Sequence, residues 1–299
     1  MFWRLVSIVK TRNIVRERSL HSAHRCYSQK SKQINVEELS PYSTQVEIAN
    51  ALRPHFEEQY PVLLKGVNVN NDAIENWKSL EYLETTVGED TSCTVEIGGS
   101  YSNSDLERPE ICFGDFIQYI KLFQERYENG NEGASGGELP NRKELVYLAQ
   151  NDLFSSLQKD FELPDLCCDS SLNVGGGSLY STMFWFGPRG CVSPLHYDPL
   201  DNLLMQFVGR KKVILFPKPA DNNTQPPKSW HYAGHNGQQY NTSPIDILNP
   251  DLKMYPLFAM APTAIVCDLD PGDICYIPQK WWHHVTSHDT SISVNAWWR

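Results

Sequence analysis

From Ser178 onward the chain reads as short apolar runs cut at close intervals by Gly and Pro. The runs are Tyr180–Phe186, Leu195–Tyr197, Leu203–Val208, Lys211–Phe216, Ala264–Cys267, Ile274–Ile277, His283–Thr286 and Ile292–Trp297. Gly187-Pro188-Arg189-Gly190, Gly209-Arg210 and Pro271-Gly272-Asp273 separate several of them. Runs of this length, bounded by turn formers, have the pattern of strands. About eight such strands in roughly 120 residues leave few architectures, because each needs a paired neighbour and a second layer for its apolar face. A double-sheet jelly roll or barrel is expected over 178–299.

The preceding part, 34–177, is mixed and reads as an elaboration of the same domain. Val36 to Phe56 has a helical pattern with polar interruptions. Tyr60 to Gly66 reads as a short buried strand, and Ser92 to Ile97 alternates like a second one. Phe113, Phe116, Ile117, Ile120, Phe123 and Tyr127 mark one face of an amphipathic helix. Leu145 to Leu148 suits a strand and Asp152 to Lys159 a short helix. Residues 129–141, rich in Gly, Asn and Glu, and the long polar stretch 218–250 have no period and read as surface loops.

Charge is unevenly distributed. Residues 1–32 carry eight Lys and Arg against the single acid Glu17, a charge of +7 in a chain whose total is -10. Phe2, Leu5, Val6 and Val9 follow helical spacing within that segment. A basic, hydroxyl-rich, amphipathic start is the composition of a mitochondrial transit peptide, and Arg25-Cys26-Tyr27-Ser28 resembles a matrix processing site. Residues 1–33 are therefore set apart from the fold as a transit peptide or disordered arm. Mitochondrial matrix is the favoured location, with nucleus or cytoplasm as the alternative. The acidic remainder argues against a general electrostatic grip on nucleic acid. No apolar run approaches the roughly 18 residues that span a bilayer. Eight cysteines without a CxxC pair or a secretory pattern read as reduced thiols.

The chemistry centres on Ser193-Pro194-Leu195-His196-Tyr197-Asp198. His196 and Asp198 stand two apart, so on an extended strand they leave the same face. An imidazole and a carboxylate make two thirds of a facial triad that suits non-haem Fe(II). A third ligand is offered by His283 or His284, whose side chains point to opposite strand faces; spacing does not choose between them. Lys211 is a candidate cation for the distal carboxylate of a keto-acid cosubstrate, although both faces of its strand are apolar. Asn202 and Asn295 add polar groups, and Ser293, Asn295 and Trp297 share one face. Asn295 suits either a cofactor contact or a brace within the sheet.

Taken together, several segments resemble a Jumonji-C (JmjC) 2-oxoglutarate oxygenase. They are Trp185-Phe186-Gly187-Pro188-Arg189-Gly190, Ser193 to Pro199, Asn202, Gln206 to Lys211 and Tyr276 to His283. Val95 to Tyr101, Tyr147 to Phe154, Asn249 to Leu252 and Tyr255 to Phe258 bring the resemblance nearest to the arginyl-hydroxylase branch of the small JmjC-only hydroxylases. The resemblance implies a mainly β (α+β), cupin-like double-stranded β-helix that uses Fe(II), 2-oxoglutarate and O2. It implies His196, Asp198 and His283 as catalytic metal ligands, His283 being the one that directly follows the aromatic pair. Lys211, Tyr101, Ser193, Asn202 and Asn295 would bind the cosubstrate. Tyr147, Gln150 and Trp185 would line the substrate approach. Ser193 stands three before His196 and would face away on a regular strand, so Pro194 must break the register. The implied reaction is side-chain hydroxylation of a protein, with an arginyl residue favoured and a homodimer possible. N-methyl-lysine demethylation, hydroxylation of a modified tRNA base and a non-catalytic binding module are the alternatives.

Overall fold

Period-two alternation and Gly/Pro punctuation lay out the C-terminal strands nearly as expected. A computed structural model describes residues 31–67, 71–98, 107–127, 145–218 and 241–299. Its strands are β1 (Ser31–Gln33), β2 (Asn35–Glu38), β3 (Val62–Lys65), β4 (Ser92–Thr94), β5 (Glu96–Ile97), β6 (Glu110–Cys112) and β7 (Val146–Asp152), then the C-terminal eight. Those are β8 (Leu179–Gly187), β9 (Val192–Tyr197), β10 (Asp201–Val208), β11 (Lys211–Phe216), β12 (Ala264–Leu269), β13 (Ile274–Ile277), β14 (Trp282–Ser287) and β15 (Ser291–Trp298). The helices are α1 (Gln45–Glu58), α2 (Ala73–Asn76), α3 (Leu80–Val87) and α4 (Phe113–Tyr127).

Two sheets face each other. One has the order β1-β12-β11-β14-β9 and the other β2-β3-β13-β10-β15-β8-β7-β5. Between them lies an apolar layer that includes Leu63, Leu204, Val213, Leu215, Ile265, Cys267, Cys275 and Ile277. A second core covers the outer face of the larger sheet. There Trp77 packs against Phe161, Phe184 and Phe207, and Phe116 of α4 meets Phe186 edge-on. Leu195, Ile214, Phe216 and Trp282 form a third cluster with Ile245, Ile247 and Phe258 on the outside of the smaller sheet. That third cluster explains why β11 is apolar on both faces.

Three elements differ from the sequence reading. Val36 to Phe56 is not one helix: β2 pairs in parallel with β3, and α1 starts only at Gln45. The start is fixed by a capping box in which Thr44 Oγ1 accepts from the Glu47 backbone N–H while Glu47 Oε2 accepts from the Thr44 N–H. Ser92 to Ile97 splits into β4, paired with β6, and β5, paired with β7. Ser155–Asp160 is a 3-10 helix where a short helix from 152 to 159 was expected. The charge-based boundary at residue 33 also falls within folded chain, since Ser31–Gln33 pairs in parallel with β12. The rest of the proposed import segment, the 129–141 insert and most of the 218–250 stretch lie outside the described residues. Cys167 is buried and Cys168 exposed, and the cysteines described are free thiols.

The chain crosses from one sheet to the other between β10 and β11, immediately before Lys211. Gly209 makes that crossing with φ +65°, and a Cβ there would stand 2.2 Å from the Thr290 carbonyl oxygen. Only glycine tolerates both the left-handed backbone and the close approach. Gly209→Ala is therefore expected to destabilise the fold by more than about 1 kcal/mol, read as a lower urea midpoint with unchanged slope.

Candidate metal centre

The site is assembled by the antiparallel pair β9–β14. His196 stands directly opposite His283, and their rings lie 4.1 Å apart between centroids. Further along, Ser193 stands opposite Val285. Three steps on β9 therefore match two on β14, which is a β-bulge with one extra residue on β9. The extra residue falls in the Pro194-Leu195 stretch, where proline has no N–H to give to a ladder. The bulge returns Ser193 to the face of His196, and both line one cavity between the sheets. The register break expected at Pro194 is therefore present.

Asp198 follows directly after β9. One ligand atom each from His196, Asp198 and His283 lies within 4.8 Å of the others. His196 Nε2 is 4.0 Å from Asp198 Oδ1, and His283 Nε2 is 3.6 Å from Oδ2. The far side of each imidazole is fixed by the backbone: His196 Nδ1 is 2.7 Å from the Pro194 carbonyl oxygen, and His283 Nδ1 is 3.0 Å from that of Trp281. A carbonyl can only accept, so each Nδ1 carries the proton and each Nε2 presents a lone pair to the cluster. Burial, then the neighbouring His196, holds the His283 imidazole neutral, down to about 4. Burial works to raise the Asp198 carboxyl. His283, His196 and hydrogen bonds from Trp297 and Asn202 outweigh it and hold the group below the usual carboxylate range.

The carboxylate is braced on one oxygen. Trp297 Nε1 donates to Asp198 Oδ2 at 2.9 Å and Asn202 Nδ2 at 3.1 Å, while Asn295 Nδ2 donates to Asn202 Oδ1 at 2.6 Å. Asn295 thus braces the ligand through Asn202 as well as lining the cavity. His284, opposite Ile214 on β11, is also buried but stays outside the cluster. Two imidazoles and one carboxylate on one side of a cavity fit Fe(II), with coordination positions left for other ligands.

Lys211 supplies the opposite charge. Only 2% exposed, it points between the sheets, where Nζ donates to Ser293 Oγ at 2.6 Å and to Tyr147 OH at 3.4 Å. No carboxylate pairs with it among the described residues, and burial depresses its pKa to about 7. Tyr147 lies close against β8 because position 187 is glycine: a Cβ there would stand 2.5 Å from the Tyr147 ring. A buried ammonium beside two hydroxyls, lacking an acid, fits the distal carboxylate of a small keto-acid.

Tyr147, Trp185, Ser193, His196, Asp198, Asn202, Lys211, His283 and Asn295 all line this cavity. Tyr101 lies outside the described residues. Gln150 is exposed and faces a neighbouring cavity of about 300 Å³, with Thr94, Glu96, Arg108 and Asp152. On a regular strand Gln150, three after Tyr147, would face away from it, and the register shift between Leu148 and Asn151 with φ +54° at Gln150 does not bring it into the first cavity. In that second cavity Glu96 is buried, which raises its pKa to about 7, although Arg108 lies 2.6 Å away and opposes the shift. No role for Ser293 or Trp297 follows from the sequence alone. Their shared strand face with Asn295 was the available signal.

Two facing sheets with a His-Asp-His cluster at one end of the cavity between them define a double-stranded β-helix with a candidate metal centre. Residues 49–299 match the family described as cupin-like domain. The chain is 36% identical over 244 residues to lysine-specific demethylase 8 of Danio rerio, covering 80% of this chain and 53% of that protein. It is 34% identical over 246 residues to Jumonji C domain-containing protein 5 of Drosophila melanogaster, covering 81% and 55%. It is 32% identical over 163 residues to tRNA wybutosine-synthesizing protein 5 of Homo sapiens, covering 54% and 45%. The chain spans about half the length of the curated relatives it matches. It belongs to the cupin-like JmjC family of oxygenases, which use Fe(II), 2-oxoglutarate and O2.

The Lys211 environment sets a pH signature. Its folded pKa, about 7, lies below its ordinary 10.5. Between those values the unfolded chain holds the proton and the folded one does not, so stability rises with pH. Relative to Lys211→Met, the unliganded wild type is expected to gain stability from pH 7 to 10 by up to about 1.4 kcal/mol per pH unit. Urea titrations of both proteins across that range measure it.

Proposed function

We propose that this oxygenase hydroxylates a side chain of a protein, with an arginyl residue favoured. In this reading His196, Asp198 and His283 hold Fe(II), and Lys211 holds the distal carboxylate of 2-oxoglutarate. The carrying observation is the pairing of two incomplete charges in one cavity: a His-Asp-His cluster facing inward and a buried lysine with no acid partner among the described residues.

Each residue has a stated task. His196 and His283 offer Nε2 lone pairs because their Nδ1 protons are engaged by backbone carbonyls. Trp297 and Asn202 occupy Asp198 Oδ2, leaving Oδ1 for the metal. Lys211 takes or keeps its proton when a carboxylate arrives, with the Ser293 and Tyr147 hydroxyls beside it. Ser193, Asn202 and Asn295 complete the cosubstrate pocket, while Leu204, Ile277 and Val285 keep its walls apolar and limit water. Bound Fe(II) and 2-oxoglutarate supply the oxidation itself: one oxygen atom of O2 leaves in succinate with release of CO2, and the other enters a substrate C–H bond.

In the neighbouring cavity Glu96 is already paired with Arg108, which leaves Asp152 as the carboxylate that suits a cationic side chain, a guanidinium or a methylated ammonium alike. A second reading, N-methyl-lysine demethylation, is favoured by the names of relatives such as lysine-specific demethylase 8. Hydroxylation of a modified tRNA base has one relative in its favour, tRNA wybutosine-synthesizing protein 5, and a net charge of -10 against it. We also propose a mitochondrial matrix location, supported by the basic amphipathic composition of residues 1–32.

Purified protein with Fe(II), ascorbate, 2-oxoglutarate and basic peptides is expected to release succinate, and Asp198→Ala to reduce it to background. Equal release from both proteins would sink the enzymatic reading. Mass spectrometry of the peptide separates the two protein reactions: hydroxylation adds one oxygen atom, whereas demethylation removes a methyl group as formaldehyde. For location, a tagged full chain is expected in mitochondria and a chain lacking residues 1–27 outside them. Nuclear signal from the full chain would overturn the import proposal.

A further inference from the structure

The position of His283 is set in part from outside the C-terminal strands. The turn that leads into β14 is Pro278-Gln279-Lys280-Trp281, and it is clamped at three points. The Gln279 backbone N–H donates to Asp201 Oδ1 at 3.2 Å, and the Lys280 N–H donates to the Asp198 carbonyl oxygen at 2.7 Å. The Trp281 indole N–H donates to the carbonyl oxygen of Gln59 at 2.9 Å. Gln59 is the C-cap of α1, with φ +52°. The Trp281 carbonyl in turn accepts from His283 Nδ1 at 3.0 Å. A single residue, Trp281, therefore links a helix end in the N-terminal part to a candidate metal ligand.

Asp201 fixes the other side of the same turn. It is 4% exposed, and Oδ1 also accepts from Tyr276 OH at 2.7 Å and from Gln59 Nε2 at 3.4 Å. Gln59 Nε2 contacts Tyr276 OH as well, at 3.2 Å. The network closes on itself: Gln59, Asp201, Tyr276 and the turn share one buried knot. Lys280 sits within it at φ +64°, a backbone conformation that a non-glycine residue holds only when its surroundings impose it. The knot therefore does more than fill space. It holds a disfavoured turn whose exit aims His283.

We propose that Asp201 and Trp281 are positioning residues for the metal ligand His283, tying the end of α1 to the geometry of the metal centre. The inference rests on the metal-ligand reading of His283 proposed above. Groups that position ligands in this way are worth about 10–100-fold in metal affinity.

The test uses Co(II) as a spectroscopic probe with the full chain. Trp281→Phe removes one N–H and keeps an aromatic ring against Tyr60, whose ring lies 5.4 Å from that of Trp281. Asp201→Ala removes the acceptor of the turn. Each folded variant is expected to bind Co(II) about 10-fold more weakly or worse and to show shifted visible bands. Loss of packing alone would lower the melting temperature and leave the bands of the bound metal unchanged. If Asp201→Ala fails to fold, Trp281→Phe carries the test alone. Wild-type affinity and bands in folded Trp281→Phe would overturn the inference. A wild-type protein that binds Co(II) no better than His196→Ala would remove the metal reading and this inference together, which separates the two failures.

Discussion

The pairing of β9 with β14 is the interaction on which the site depends. It brings together two segments far apart in sequence and places His196 against His283. Side chains alternate faces with a period of two, so an even register throughout would have put Ser193 on the wrong side. The extra residue at Pro194-Leu195 corrects this without moving His196. The same stretch supplies the Pro194 carbonyl that fixes the imidazole tautomer. One local irregularity thus sets the direction of a hydroxyl and the proton of a ligand. Residues 241–243 brace the strand from its other side, since the Tyr197 N–H donates to the Asn241 carbonyl and the Ser243 N–H to that of Leu195.

Charge in the cavity is deliberately incomplete. One end gathers lone pairs and a negative carboxylate, and the other holds a lysine whose ammonium costs free energy to bury. In a core serving stability alone, an apolar residue at 211 would do better. Each end calls for a ligand of opposite sign: a divalent cation for the cluster, an anionic group for Lys211. A molecule that chelates a metal at one end and carries a carboxylate at the other answers both. The preference for 2-oxoglutarate then follows from the distribution of charge across one cavity, and it agrees with the family to which the chain belongs.

How much of this was legible in the sequence varied with the range of the forces involved. β11 and β13 match their expected bounds, because their ends are set locally by Gly209-Arg210 and by Pro278. α4 followed its apolar face. β2 was misread because its identity comes from a long-range parallel pairing with β3, and nothing in Val36-Glu37-Glu38 alternates strongly enough to announce it. Alternation could not decide the direction of Lys211, since a third apolar cluster covers the far face of β11. It could not choose His283 over His284 either. That choice emerges from register, with His283 opposite His196 and His284 opposite Ile214. Gln150 stands at an odd spacing from Tyr147 on β7, and the bulge and left-handed residue there do not turn it back toward the cavity.

The change of texture near residue 178 divides the sequence more sharply than it divides the fold. β3 pairs with β13, β7 pairs with β8, and the largest apolar cluster draws side chains from both parts. Strand β13 illustrates the consequence. Its residue Tyr276 pairs with Val62 on one side and Leu203 on the other, and its hydroxyl reaches Asp201 at the entrance to β10. Removing the N-terminal layer would expose β13 as a sheet edge and strip Gln59 from the knot that holds the turn before β14. A strand edge left unpaired is a liability in itself, and here it adjoins the turn that leads into His283. The jelly-roll strands carry His196 and His283, but the turn that leads into His283 is also held by Gln59, in chain that the jelly roll does not contain.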